Sequence, residues 1–220
     1  MLSLSTSFVE PVQTEVDTVS VPIWIALSKR LLDLVVSGLV VLLVLSWLIP
    51  ILGLAIRITS PGPMLFIQVR TGRNGRLFRC LKFRTMTYDP NAQFRQATKN
   101  DHRVTRIGAF LRKTNIDELP QVLNVLWGDM SLVGPRPHAI QHDAQFWNAI
   151  PGYGYRYAIK PGITGLAQVR GCRGETSHIS QMAHRVRLDK FYIQKQSVFL
   201  DIKICWWTVT AMFKGDKKAW

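Results

Sequence analysis

From Leu34 to Ile56 the chain runs for 23 residues without a charge, bounded by Lys29, Arg30 and Asp33 before and Arg57 after. About 20 apolar residues cross the hydrocarbon of a bilayer, so this run is long enough to enter one. A buried core helix is the alternative, but helices apolar on every face are uncommon at this length in small soluble domains. Pro50 lies inside the run, where it removes a helical hydrogen bond and crowds the preceding turn. A kink or break is therefore expected between Ser46 and Gly53, with Ser46 and Pro50 as the residues that shape it. Basic residues flank both ends, and cytoplasmic flanks carry the excess of Lys and Arg. A simple span would export either the Lys29-Arg30 pair or the strongly basic remainder. A re-entrant hairpin avoids this conflict, provided its freed backbone groups find partners such as the Ser46 hydroxyl.

The charge is unevenly spread. The chain of 220 residues has 28 Lys and Arg against 14 Asp and Glu, a formal net charge of +14. None of the cations precedes Lys29, whereas Glu10, Glu15 and Asp17 do, so residues 1–28 read as a mobile acidic tail. That start lacks the positive flank and short apolar core of a secretory signal. The expected division is a mobile acidic tail 1–28, a re-entrant membrane hairpin 29–57 and a cytosolic or interfacial catalytic domain 58–220. With 47% hydrophobic and 19% charged residues, full-length disorder and collagen-like repeats are excluded. Cys80, Cys172 and Cys205 are odd in number and widely separated, giving neither a disulfide framework nor a metal knuckle, and read as reduced thiols. A pI near 10.2 points to anionic partners. Nucleic acid is a poor candidate, because the uncharged run and the lack of a binding motif argue against it.

Beyond the run, Ser60-Pro61-Gly62-Pro63 marks a turn, and Met64 to Val69 is strand-like. Gln68-x-Arg70-x-Gly72-x-x-Gly75, with Arg73 and Arg76, reads as a hairpin turn more readily than as a phosphate cradle. Leu77 to Met86 alternates as a strand that sets Lys82 and Arg84 on one face, either solvated or awaiting an anion. After a polar loop over 87–106 and a short apolar element from Ile107 to Leu111, a helical pattern opens at Thr114 and stops at Gly128. Thr114 with Asp117, or Asn115 with Glu118, fits a capping box. Asp117 and Glu118 thus have two equal readings: acids that satisfy a helix start, or carboxylates of a site set among Arg112, Lys113 and Arg136.

Gly128 to Pro137 and Pro161 to Gly174 are loops punctuated by glycine and proline, apolar enough to pack around a site. His138 and His142 have helical metal-binding spacing but no third ligand, so packed or solvated histidines are the default. Arg187 to Lys218 is helical and amphipathic, with Phe191, Tyr192, Phe199, Ile202, Trp206, Trp207 and Phe213 beside lysines, as in a helix lying at a membrane interface.

Taken together, KRLLDLVVSG, the apolar run, SPGPMLFIQVRTGRNGRLFRCLKFRTM, RIGAFLRKTNIDELPQVLNVLWGDMSLVGPRP and KPGITGLAQVRG resemble the bacterial sugar transferase family, the monotopic phosphoglycosyl transferases acting on polyprenyl phosphate. The likeness runs from about Lys29 to Gly215. It implies transfer of a sugar-1-phosphate from a UDP-sugar to undecaprenyl phosphate with release of UMP, at the cytoplasmic face of a bacterial inner membrane. Exopolysaccharide, capsule, O-antigen or glycoprotein glycans would be started in this way. The resemblance implies that Asp117 is the nucleophile on the β-phosphoryl group and that Glu118 helps to hold Mg²⁺. Lys82, Arg112 and, more weakly, Arg84 would contact phosphates, and Pro135-Arg136-Pro137 would hold the nucleotide.

The implied fold is α/β in a loose sense: α-rich with a small strand element, and monotopic, with an N-terminal re-entrant helix-break-helix and amphipathic interfacial helices. Partners are then a UDP-sugar, undecaprenyl phosphate and membrane lipid, with no nucleic acid, and a homodimer is compatible with all of this. Two departures stand out. Ser46 is followed by Trp47 where many members have Ser-Pro, and the chain matches only the catalytic part of longer members, as a minimal catalytic form would. Sugar contacts are sought in Cys172 to Met182. The rivals are a catalytically silent scaffold of the same fold, and direct transfer with no enzyme-bound intermediate.

Overall fold

The computed structural model describes residues 21–91, 95, 97–98, 101–172, 174 and 178–214. The expected tail lies outside them, except for its last eight residues. Of those, Ile23 to Ser28 are helical: the first helix starts at Ile23 behind Pro22, upstream of the expected hairpin boundary. Helical hydrogen bonding then continues to Thr59: α1 (Ile23–Val40), a π turn (Val41–Leu45) and α2 (Ser46–Thr59), a stretch of 37 residues.

No interruption of the helix falls between Ser46 and Gly53, and Pro50 is accommodated within α2. The irregularity lies one turn earlier. The Ser46 amide reaches back five residues to the Val41 carbonyl, which widens the turn and takes up one extra residue. Side chains also reach the carbonyls of this turn: the Ser46 hydroxyl donates to Leu42 O at 2.8 Å, and the Trp47 indole donates to Leu43 O at 2.8 Å. The apolar side chains of the middle of this helix face outward, with Leu42 69% and Leu54 63% exposed.

Both ends of the helix dock on the body that follows. Near its start, Lys29 donates to Asp201 (2.6 Å) and Tyr192 Oη (2.9 Å), and Arg30 donates to Val125 O and Leu126 O. Buried Asp33 accepts from Leu132 N at 2.9 Å and Ser131 Oγ at 3.1 Å. Near its end, Ile56 packs with Phe83 and Leu111. The expected hairpin follows as β1 (Leu65–Thr71) and β2 (Leu77–Phe83), antiparallel with Thr71 opposite Leu77. Phe78 and Cys80, on one face of β2, pack on Val125 and Met130.

Two further helices, α3 (Arg106–Lys113) and α4 (Gln121–Trp127), lead into β3 (Ser131–Val133), α5 (Ile140–Trp147), β4 (Gly162–Thr164) and α6 (Leu166–Val169). The chain then forms α7 (Ile179–Lys195) and α8 (Val198–Lys214). β3 and β4 pair in parallel, so the two Gly/Pro loops meet face to face. A Cβ on Gly162 would lie 2.1 Å from Gly134 N, which is why the contact needs glycine. The amphipathic segment near the end is two helices, not one. On α8, Phe199, Ile202, Trp206, Val209 and Met212 form an outward stripe at helical spacing.

Candidate active site

Asp117 and Glu118 sit on a short 3₁₀ turn, Ile116–Glu118, between α3 and α4. The expected capping box does not form. Thr114 closes α3 instead, its hydroxyl donating back to Phe110 O at 2.9 Å, and Asn115 bridges to the turn in the left-handed region at φ 57°. The carboxylates are therefore not spent on a helix start. They point into a basic enclosure assembled from three separate segments.

Glu118 is saturated with cationic donors. Lys82 Nζ donates to Oε1 at 2.7 Å, Arg136 Nη1 to Oε2 at 2.9 Å, and Arg136 Nη2 closes a fork on Oε1. Burial by itself would raise its pKa, but Arg136 and Lys82 together hold Glu118 well below the usual carboxylate range. Lys82 arrives here because it shares a face of β2 with Phe78 and Cys80, the face that packs on α4. Arg136 is aimed by its loop: Pro135 O accepts from Gly162 N (2.9 Å), Arg136 O from Arg156 Nη2 (2.8 Å), and Pro137 O from Arg70 Nη1 (2.7 Å).

Asp117 is the opposite case. It is only 9% exposed and makes no hydrogen bond or ion pair among the described residues. Burial pushes its pKa up, and neighbouring Glu118 adds to this, while Lys82, Arg112 and Arg136 pull the other way. Its side chain is mostly enclosed while its oxygens keep contact with solvent, so they are open to a ligand. Such groups concentrate at functional sites. Arg112 is held at the margin of the site by its Nε bond to Thr85 Oγ1 at 2.9 Å. Three of the roughly four lone-pair positions of Glu118 are taken and those of Asp117 are open. This donor set suits a cation that takes one or two carboxylates and completes its shell with phosphate oxygens and water. Among the described residues no group of three or more His, Cys, Asp or Glu could form a protein cage for a metal.

Arg84, expected beside Lys82 as a phosphate contact, is committed elsewhere. β2 ends at Phe83, and the buried Arg84 guanidinium turns to the C-terminal end of α2, donating to Ser60 O at 2.5 Å and to Pro61 O. It is a structural clasp on the carbonyls of the turn that follows α2. His138 and His142 pack edge to face, 4.8 Å apart. His138 is buried against Tyr153 Oη (2.7 Å) and the guanidiniums of Arg156 and Arg185. Burial and those two cations hold it well below its ordinary value, hence neutral. Replacing Arg84 (Arg84→Ala) should lower the melting temperature in detergent by about 3–10 °C. An unchanged melting temperature would contradict this structural role.

The profile of the family described as bacterial sugar transferase matches residues 24–215, nearly the whole chain. The chain is similar to a UDP-glucose:undecaprenyl-phosphate glucose-1-phosphate transferase of Klebsiella pneumoniae, with 50% identity over 188 residues. That alignment covers 85% of this chain and 40% of the relative, so the chain spans well under half of that relative's length. A Caulobacter vibrioides protein of the same name is 49% identical over 191 residues, 86% of this chain and 71% of its own. The exopolysaccharide production protein PSS of Rhizobium leguminosarum bv. phaseoli is 45% identical over 194 residues, 86% of this chain and 96% of its own. With the profile spanning residues 24–215, the chain belongs to the bacterial sugar transferase family.

Proposed function

We propose that this protein transfers a sugar-1-phosphate from a UDP-sugar to undecaprenyl phosphate, through a phospho-sugar ester on Asp117. The observation that carries this reading is the contrast between the two adjacent carboxylates. Glu118 is locked by Lys82 and Arg136, whereas Asp117 is buried, unpartnered and within the field of three cations. The names of the relatives supply the donor and acceptor classes.

In the first step an Asp117 carboxylate oxygen attacks the β-phosphorus. The bond from that phosphorus to the bridging oxygen breaks, and UMP leaves with the electron pair. In the second step a phosphate oxygen of the lipid attacks the same phosphorus, frees the Asp117 carboxylate and gives undecaprenyl diphosphate-sugar. Lys82 and Arg136, already fixed by Glu118, supply positive charge where phosphoryl charge develops, with no reorganisation at the moment of reaction. Mg²⁺, held by Glu118 and the donor's phosphates, would neutralise the diphosphate so that an anionic nucleophile can approach.

The membrane arrangement that fits is re-entrant. Lys29, Arg30 and Asp33 at one end of the long helix, and Ile56 at the other, are bound to the same folded body. A helix crossing the bilayer would separate those ends by about 30 Å of hydrocarbon. The exposed apolar middle and the outward stripe of α8 then face lipid, with the catalytic body at the cytoplasmic face of the inner membrane, where both substrates are within reach. Glycan assembly beginning there agrees with the exopolysaccharide name of the Rhizobium relative.

Purified full-length protein in detergent is expected to release UMP from UDP-glucose only with undecaprenyl phosphate and Mg²⁺ in multiple turnovers. Asp117→Asn should lose at least about 1,000-fold in kcat. Turnover by Asp117→Asn within tenfold of the unmutated protein would overturn the nucleophile, and no UMP from any UDP-sugar would favour the silent scaffold. For topology, cysteines introduced at Ser28 and Thr59 in a background lacking Cys80, Cys172 and Cys205 should both react with an impermeant maleimide in inverted vesicles, and neither in right-side-out vesicles. One reactive end in each preparation would mean a spanning helix.

A further inference from the structure

Beside Glu118 lies a pocket of about 130 Å³ whose walls beyond Glu118 and Arg136 have no role above. It opens next to Glu118 and Arg136 and runs between α4, the β4–α6 connection and α8. Leu119, Val122, Ile163 and Met212 give it apolar walls, and Thr164, Gln168 and Thr208 bring polar atoms. Clefts for drug-sized ligands are several times larger. This one suits a single ring, not a whole nucleotide.

Gln168 is the telling side chain. It is 6% exposed, and its Nε2 donates to Ile163 O at 3.0 Å, which fixes the amide so that the carbonyl oxygen is the free end. That Oε1 is buried with no hydrogen-bond partner among the described residues. An unpaired buried acceptor costs stability unless something pairs with it. A carbonyl oxygen can only accept, so the missing partner must be an O–H or N–H donor. Neither the phosphates of the two substrates nor an isoprenoid chain offers one at neutral pH. The remaining groups are the sugar ring, the ribose hydroxyls and the uracil N–H of the donor. Distance separates them: the sugar is joined directly to the phosphorus that Asp117 would attack, whereas the ribose and uracil lie beyond a second phosphate. A pocket bounded by Glu118 itself is one ring from the reacting phosphorus.

Resting on the proposed transfer reaction, we infer that this pocket holds the hexosyl ring of the donor, with one ring hydroxyl donating to Gln168 Oε1. The C–H faces of the ring lie against Leu119, Val122 and Met212, and the Thr164–Thr208 hydroxyl pair, 2.6 Å apart, closes the polar side. The ring would remain in this pocket through both half-reactions while UMP leaves from the other side of the phosphorus. The sugar contact is thus assigned to Gln168 on α6, upstream of the stretch from Cys172 to Met182, part of which lies outside the described residues.

The test compares kcat/KM for UDP-glucose and its 2-, 3-, 4- and 6-deoxy analogues in the unmutated full-length protein and in Gln168→Met, with UMP release as the readout. One deoxy analogue should fall by about 10- to 100-fold in the unmutated protein. In Gln168→Met, UDP-glucose should fall to that same level, the analogue should lose nothing further, and inhibition by UMP should be unchanged. Equal losses across all five donors would make Gln168 merely structural, and weakened UMP inhibition would assign the pocket to the nucleoside; either result overturns the inference. If Gln168→Met does not fold, deoxyfluoro donors decide with the unmutated protein alone. Fluorine cannot donate, so the matching deoxyfluoro sugar should be as poor as the deoxy one, whereas full rescue by fluorine, or no discrimination among the analogues, overturns the assignment. If no UDP-hexose, UDP-glucose included, yields UMP, it is the transfer reaction that fails, and the pocket assignment falls with it.

Discussion

The charge-assisted fork between Arg136 and Glu118, completed by Lys82, ties together the segments that make this site. Its three residues come from β2, from the turn before α4 and from the loop after β3. An isolated buried carboxylate would cost several kcal/mol to desolvate. Three cationic hydrogen bonds offset that cost, so Glu118 stays ionised without a metal. The Arg136 loop is in turn pinned by Arg70 and by Arg156, whose guanidinium is paired with buried Asp189 at 3.0 Å. A connected polar chain therefore runs from α7 through the loop to β2. Within that frame the enclosure is preorganised, and of its two carboxylates Asp117 is the one that makes no hydrogen bond among the described residues.

The same economy governs the long helix. Its apolar middle makes few contacts with the body, while its ends are fastened by polar groups: Lys29 and Asp33 to α8 and β3, and the α2 terminus to Arg84. Buried charges paired in this way fix a unique docking more than they add stability. On this account the helix carries the body at the interface, and its docked ends set how deep the carboxylates lie relative to the lipid phosphate. The outward stripe of α8 continues the apolar surface next to the inferred sugar pocket, because Thr208 and Met212 of α8 form part of that pocket's wall.

Features that depend on local patterning were legible in the sequence. The uncharged run and the β1–β2 hairpin with its turn over Gly72 to Gly75 follow from composition, alternation and turn chemistry. Features set by distant docking were not. Alternation set Lys82 and Arg84 alike, and only the position of the α2 end separates a site lysine from a structural arginine. The capping box failed because α3 extends to Lys113, so that Thr114 serves the carbonyls of a helix ending there. At Asp117 and Glu118 local periodicity left two equal readings, and it is the position of Arg136, 18 residues downstream, that turns Glu118 away from a helix start. Gln168 gave no local signal at all: one amide in an apolar tetrapeptide acquires meaning only once Ile163 has taken its nitrogen.

The division of labour between Asp117 and Glu118 is tested most directly by intact-protein mass. Full-length protein in detergent, mixed with Mg²⁺ and UDP-glucose without lipid acceptor, should gain one sugar-phosphate and release one equivalent of UMP. Glu118→Gln should form the same adduct more slowly, and Asp117→Asn should form none. The account is contradicted by an adduct on Asp117→Asn, or by an unmodified protein that nevertheless turns over once undecaprenyl phosphate is added.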